Sequence, residues 1–389
     1  MAKILWYGDA VSNTGFARVT HSVLEHLCKE HEVICFAINY SGDPHEYPYK
    51  IYPAAANNPA DRFGVGRIQN IVEKEKPDYI FCLNDLWIVN QVWERIHLLK
   101  AALKFKFIAY FPTDSEWYPS QMLHYIKDWD FSITFTIEQA QRLMAHGIKP
   151  RRLGVVPHGL DQDKFYAMDK IKARDSLGLP HDKFIVFNGN RNQPRKMIDQ
   201  TIKAFAEFAT GKDDVMLYLN MQEKDLGWSV KDLFMMEMER RGNDATQKLC
   251  LTPQINYMAA PPDEQLNRIY NAVDVGLNTA NGEGWGLVPF EHAMCKKPQV
   301  VPNHTSCSDI WKNKGLLIDV AAWVTDKDLS VERGIVNYKH AAELLDKLYS
   351  DPKLYEKVAA DCYEVTQNKQ YRWDKIAEGF SKAMEEVNK

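Results

Sequence analysis

The chain has 389 residues, 45% of them hydrophobic and 26% charged, with 48 Lys and Arg against 52 Asp and Glu. That length suits about two domains with a substantial core in each, and the composition excludes a disordered polymer. A formal charge of −4 excludes a global basic footprint for non-specific nucleic-acid binding, while leaving room for a local basic groove. In chain order, residues 1–8 hold too short an apolar stretch for a signal peptide and read as a first strand. Further strands are expected at 31–38, 78–83, 105–111, 131–136 and 153–156. Between the first two lies a helix over 14–29, with Val19, Val23, Leu24 and Leu27 on one face and Thr14 as its N-cap. The rhythm restarts with strands at 184–187, 215–219, 249–252, 273–277 and 299–301. Helices are expected at 198–209, 230–240, 264–271 and 288–295. Beyond Tyr338 the strands stop and three helices follow, the last over 371–387.

No apolar run approaches the roughly 18 residues needed to span a membrane. The seven cysteines, Cys28, Cys35, Cys82, Cys250, Cys295, Cys307 and Cys362, are scattered and form no C-x-x-C pair. Reduced buried thiols are expected, in a cytoplasmic protein of a bacterial or virus-infected cell. The alternation of short apolar runs with helical segments predicts an α/β protein: two tandem doubly wound Rossmann-like domains facing a cleft. The expected division is 1–165 and 166–365, joined by a Pro- and Gly-punctuated stretch after Pro157, with 366–389 as a terminal helix packing back on the first domain.

The strongest chemical signal is Asn281-Gly-Glu283-Gly-Trp-Gly286-Leu-Val-Pro-Phe-Glu291. It lies between a predicted strand and a predicted helix, where glycines let free backbone N–H groups approach an anion. Glu283 and Glu291 suit vicinal hydroxyls of a ribose or hexose rather than phosphate. An acidic first helical turn favoured by the helix dipole explains the same residues without a ligand. The second signal is Asn188-Gly-Asn190-Arg191-Asn-Gln-Pro-Arg195-Lys196. Arg191 and Lys196 are placed to neutralise a leaving diphosphate, with Arg195 as a solvated neighbour. A basic loop on a solvent face is the alternative. The third is Gly8-Asp-Ala-Val-Ser12-Asn13-Thr14-Gly15, a first strand-to-helix turn that is not G-x-G-x-x-G.

Together these residues resemble the retaining glycosyltransferase family 4, of the two-domain GT-B fold. The resemblance rests on the E-x7-E run from Glu283 to Glu291, on Arg191 and Lys196 five residues apart, on Val155-Val-Pro-His-Gly-Leu-Asp161 with Phe165, and on Tyr371-Arg-Trp373-Asp-Lys-Ile-Ala377. It implies a nucleotide-sugar donor, with UDP the default, held by the second domain. Arg191 and Lys196 would contact the diphosphate, Glu291 the ribose and Glu283 the donor sugar. Asn190 and the loop Gly284, Trp285, Gly286 and Leu287 would line the donor, and Gly15 would approach the diphosphate from the first domain. Thr305 and Ser306 match a phosphate-side loop, and residues 252–257 would meet the base. Where many members carry a His after the fifth strand, this chain has Tyr110-Phe-Pro-Thr113-Asp114, so Asp114 is the polar candidate there. His304 is expected to be a satisfied loop histidine.

The resemblance implies transfer with retention, the leaving diphosphate itself taking the acceptor's proton. Three D-x-D triplets, at Asp128, Asp161 and Asp326, lie away from the signals above, so no metal is expected. No resident cofactor is expected either, the nucleotide-sugar being a substrate. The acceptor is left open between a glycan, a small molecule and hydroxymethylated DNA bases, since the chain looks like viral and environmental variants of the family. A non-catalytic nucleotide-sugar or glycan-binding protein of the same fold is the remaining alternative.

Overall fold

The computed structural model describes residues 1–12, 14–55, 58, 60–149, 152–253 and 261–389. The chain divides into two compact units, one of residues 1–113, 118–159 and 369–389, the other of residues 114–117 and 160–368.

In the first unit, β1 (Lys3–Asp9), β2 (Glu32–Ile38), β3 (Lys50–Pro53), β4 (Tyr79–Leu83), β5 (Lys106–Tyr110), β6 (Phe131–Thr134) and β7 (Leu153–Val155) form one parallel sheet. Its order is β3-β2-β1-β4-β5-β6-β7. Helices α1 (Gly15–Leu27), α2 (Ile68–Glu75), α3 (Leu86–Ile96), α4 (Lys100–Leu103), α5 (Ser120–Leu123) and α6 (Ile137–Ala145) connect these strands. Strands covered on both faces read as continuous apolar runs, which is why β1 and β2 were visible in the sequence. The short strand β3, with a Lys and a Pro in its four residues, gives no such signal. Thr14 caps α1 as expected, its hydroxyl accepting from the Ala17 N–H at 3.1 Å, and Val19, Val23, Leu24 and Leu27 are buried. The last helix, packed on α1, returns to this unit: Phe380 sets its ring edge-on to Trp6, and Gly379 lies against Val156 with no room for a side chain.

In the second unit, α7 (Lys170–Leu177) precedes a second parallel sheet. Its strands are β8 (Phe184–Asn188), β9 (Val215–Leu219), β10 (Leu249–Leu251), β11 (Val275–Leu277), β12 (Gln299–Pro302) and β13 (Leu316–Ile318), in the order β10-β9-β8-β11-β12-β13. Around it run α8 (Ile198–Phe208), α9 (Val230–Arg240), α10 (Asp263–Ala272), α11 (Leu287–Met294), α12 (Thr305–Trp311), α13 (Tyr338–Ser350) and α14 (Pro352–Thr366). The chain then enters α15 (Trp373–Glu386), the helix that belongs to the first unit. An antiparallel hairpin of β14 (Val320–Thr325) and β15 (Glu332–Val336), which the sequence did not announce, is inserted before α13.

Below the sheet, the buried guanidinium of Arg174 donates to the Asp274 carboxylate at 2.7 Å, and that carboxylate also accepts the Ile185 N–H at 2.7 Å. This ties the start of β11 to β8. Two Rossmann-like parallel-sheet units in tandem are the GT-B class. Among the described residues, no helix is long and apolar enough to cross a membrane.

Candidate active site

In the second sheet the strand order reverses between β8 and β11, so the loops leaving those two strands emerge side by side. Asparagines lock them together. Asn188 accepts the Asn190 N–H at 2.9 Å and donates to the Thr201 hydroxyl at 2.9 Å. The Asn190 amide donates to Asn278 at 3.2 Å, and the Asn281 N–H to the Arg195 carbonyl at 2.9 Å. Pro194 opens a short helical turn, and Met197 closes it in the left-handed region at φ 47°. That turn carries Arg195 and Lys196 toward the β11 loop.

Lys196 and Glu283 form a two-point pair, with the Nζ 2.6 and 2.8 Å from the carboxylate oxygens. Asn278 adds a third bond to Glu283 at 3.2 Å. Arg195 does not behave as a solvated neighbour. It donates to the Gly282 carbonyl, lies 3.5 Å from Glu283 and 3.6 Å from Asp114. Arg191 turns the other way, onto Asp225, in a two-point pair at 2.6 and 3.1 Å. Asp225 is presented by residues 222–228. Buried Asn192 holds that loop through the carbonyls of Gln222, Glu223 and Trp228 and the Trp228 N–H. Neither Arg195's true position nor Asp225 was foreseen; the adjacency of Arg195 to Lys196 was the only signal for the first.

Burial pushes the Glu283 carboxyl up, but the charges of Lys196 and Arg195 outweigh it and hold the group below its ordinary value. Burial pushes the Lys196 ammonium down, and Glu283 opposes that. The Nζ lies 2.6 Å from the carboxylate, so each partner favours the charged form of the other.

The peptide of Glu283 is held from both sides. Its N–H donates to the Thr305 hydroxyl at 3.2 Å, and its carbonyl accepts from the Ser306 hydroxyl at 2.8 Å. Thr305 performs this while buried and in the left-handed region at φ 51°, a costly conformation for a β-branched residue. His304 is buried at the start of α12, with its Nδ1 3.3 Å from the Thr305 hydroxyl. Gly286 precedes α11 at φ 87°, a conformation that favours glycine, and the first N–H groups of a helix have no partner within it. Gly284, Gly286 and Leu287 keep partial exposure, whereas the Trp285 side chain is buried edge-on against Phe290. Glu291 is buried on α11 and accepts from the Tyr270 hydroxyl at 2.8 Å.

Asp114 belongs to this second unit. Its carboxylate lies 3.3 Å from the Arg333 guanidinium, and its backbone carbonyl accepts from the same nitrogen at 3.3 Å. Arg333 in turn donates to Asp326 at 3.2 Å. The third D-x-D triplet therefore reaches the site through an arginine, contrary to expectation. Burial raises Asp114, while Arg333 and then Arg195 hold it below its ordinary value. Gly282 packs on the Asp114 carbonyl and the Arg333 guanidinium, leaving no space for a Cβ. Among the described residues, no group of three or more His, Cys, Asp or Glu is arranged to hold a metal ion. Gly15 opens α1 in the first unit, while Asn13 and the expected base-contacting stretch from residue 254 on lie outside the described residues. Thr252, inside them, donates its hydroxyl to Tyr218 at 2.9 Å.

A parallel sheet with a Gly-rich loop, clustered cations and buried carboxylates at its switch point is the second Rossmann-like unit of a GT-B fold. The family description of the group 1 glycosyl transferases matches residues 169–365, and the chain belongs to that family. Among characterised relatives, the D-inositol 3-phosphate glycosyltransferase of Segniliparus rotundus is 30% identical over 165 residues, 42% of this chain and 34% of that protein. Its counterpart from Mycobacterium sp. (strain KMS) is 26% identical over 212 residues, 53% of this chain and 45% of that protein. The chain thus aligns with about a third to a half of the length of these relatives. Among solved structures, Anabaena HepE in complex with UDP and glucose superposes with a TM-score of 0.72 at 15% identity, covering 99% of this chain and 100% of that one. A glycosyltransferase from Rickettsia africae gives a TM-score of 0.75 at 13% identity, covering 100% and 99%. At such identities the structures establish the fold.

Proposed function

We propose that this chain transfers a sugar from a nucleotide-sugar, a UDP-sugar foremost, to a hydroxyl acceptor, with retention and without a metal ion or resident cofactor. The observation that carries this reading is the Lys196–Glu283 pair at the strand switch, with Arg195 against it and Arg191 in the loop just before that turn. Lys196, Arg191 and Arg195 serve the diphosphate, with the amides of Gly284 to Leu287 and Asn190 beside them. Glu283 and Glu291, both carboxyl groups that accept hydrogen bonds, suit sugar and ribose hydroxyls. The HepE complex with UDP and glucose supports the choice of UDP.

In the reaction, the bond from the anomeric carbon to the diphosphate oxygen breaks, and its electron pair stays on that oxygen. The cations stabilise the charge that develops there, a role typically worth several kcal/mol per donor. The same oxygen takes the proton of the acceptor hydroxyl while the acceptor oxygen bonds the anomeric carbon from the departing side. Configuration is retained and no protein nucleophile is needed, which fits a site rich in cations and amides.

The test is a melting-temperature panel with UDP-, GDP-, ADP- and dTDP-sugars, followed by product analysis with and without EDTA. A rise with one UDP-sugar, an axial or equatorial linkage matching the donor's, and EDTA-insensitive turnover are expected. No stabilisation by any of the four donor classes overturns the reading, and restoration of a chelated enzyme by Mn²⁺ overturns its metal-free part. Neither a modified-DNA acceptor nor a purely binding role is favoured by any feature of the site.

A further inference from the structure

The cations of the site do not stand alone. From the tip of the inserted hairpin inward, six side chains alternate in sign: Asp326, Arg333, Asp114, Arg195, Glu283 and Lys196. The successive separations are 3.2, 3.3, 3.6, 3.5 and 2.6 Å. Three acids and three bases sum to zero. The outer end is itself anchored, because Asp326 accepts the N–H groups of Asp328 at 3.0 Å and Leu329 at 2.9 Å and so fixes the hairpin turn. Arg333 is buried, and its strand takes residues 114–117 as a neighbour: Glu116 N–H donates to the Glu332 carbonyl at 3.0 Å and Glu332 N–H to the Trp117 carbonyl at 3.2 Å. The segment bearing Asp114 is thereby stitched to the hairpin rather than to its neighbours in sequence.

We infer that Arg333 is a positioning residue for anion binding: by neutralising Asp114 it keeps Arg195 beside Glu283 and Gly282, available to a diphosphate, instead of letting Asp114 claim it. This rests on the donor reading above and adds to it a residue that no motif marks, on the inserted hairpin whose turn carries the third D-x-D triplet. A surplus negative charge within a few ångströms of an incoming diphosphate repels it, and in a partly buried site such a charge is poorly screened. A guanidinium held at two nitrogens by two carboxylates also fixes direction, which a lysine cannot reproduce fully.

The experiment is calorimetric titration of UDP, and separately of inorganic pyrophosphate, into the native protein and four variants whose folding is checked by melting. Arg333→Gln leaves the six side chains at −1, and at least about a tenfold loss of affinity for both probes is expected. Arg333→Lys keeps the charge and recovers part of that loss. Asp114→Asn combined with Arg333→Gln restores neutrality and recovers most of it, which a merely structural role for Arg333 would not produce. Asp326→Asn, at the outer end, removes a negative charge and leaves the six side chains at +1, tightening both probes by about two- to fivefold with a steeper salt dependence; it keeps the test decisive if Arg333→Gln does not fold. Native binding with unchanged affinity in folded Arg333→Gln or in Asp326→Asn, or a double variant as weak as the single, overturns this inference alone. A native protein that binds neither probe overturns the donor reading and this inference with it.

Discussion

Replacing Lys196 by Met removes one member of a buried pair while nearly preserving shape. Glu283, 4% exposed, then loses two hydrogen bonds of 2.6 and 2.8 Å and keeps Asn278 at 3.2 Å and Arg195 at 3.5 Å. Stranding a buried charge in this way costs about 3–5 kcal/mol when nothing else compensates it. Arg195 still faces the carboxylate, so the lower end, about 3 kcal/mol, applies. For a unit of this size each kcal/mol moves the midpoint by about 2–4 °C, which predicts a fall of about 6–12 °C in the melting of the second unit. Adding Glu283→Gln removes the stranded charge and should return most of that loss. Turnover behaves differently: both variants lack a cation at the leaving oxygen and should fall by about 10²–10³. Differential scanning calorimetry paired with a UDP-release assay separates the two effects. A single variant melting within about 2 °C of the native protein, or a double variant no more stable than the single, refutes the buried-pair reasoning.

Acid should act on the same groups. Glu283 and Asp114 are held below their ordinary values, so each binds a proton more readily when unfolded than when folded. Their stabilisation is complete above the unfolded carboxylate pKa values of about 4 and is lost as pH falls through the lower folded ones. Melting temperature should therefore be level between about pH 5 and 7 and drop below about pH 4, with a shallower drop in the Lys196→Met/Glu283→Gln variant; a native-like acid slope in that variant contradicts the assignment. On the basic loop, Asp225 competes with any phosphate for Arg191, whose two-point pairing holds the Asp225 carboxyl low. Asp225→Asn should tighten UDP by about two- to fivefold in calorimetry. Weaker binding would mean that Asp225 aims Arg191 rather than withholding it.

What the sequence disclosed follows from what it can encode locally. The strands β1, β2, β8 and β9 were legible because sheets covered on both faces demand unbroken apolar runs, and α1 because Thr14 and a one-sided apolar face mark its start and direction. The hairpin escaped notice because β14, Val-Ala-Ala-Trp-Val-Thr, is largely exposed and carries no alternation to separate it from a loop. In the site, Glu283, Glu291, Arg191 and Lys196 stood out as residue types at a spacing. Their partners did not, because pairing is a tertiary fact: Lys196 meets Glu283 across 87 positions, Arg191 meets Asp225 across 34, and Arg333 meets Asp114 across 219.

That omission alters the chemistry. Read as a sequence, the basic turn is a set of charges awaiting an anion. In the structure Lys196, Arg191, Arg195 and Arg333 each lie within 4 Å of at least one carboxylate. A diphosphate entering there exchanges one anionic partner for another, so its net gain depends on which carboxylates give way. Glu283 is buried with its peptide held by Thr305 and Ser306, and its carboxylate cannot move aside without breaking its bonds from Lys196 and Asn278. Asp225 lies within the loop of residues 222–228, which is held by Asn192, by the Val230 N–H on the Glu223 carbonyl and by the Lys231–Glu223 ion pair, and the Arg191 side chain it pairs with is 38% exposed against 14% for Lys196. On the proposed donor reading, Arg191 is therefore the cation whose carboxylate would yield first, and Lys196 the one that would stay bridged to Glu283 as the donor arrives. On the same reading, selectivity for a sugar attached to the diphosphate would follow from that difference, because the Lys196 side keeps the Glu283 carboxylate in position to meet the sugar's hydroxyls.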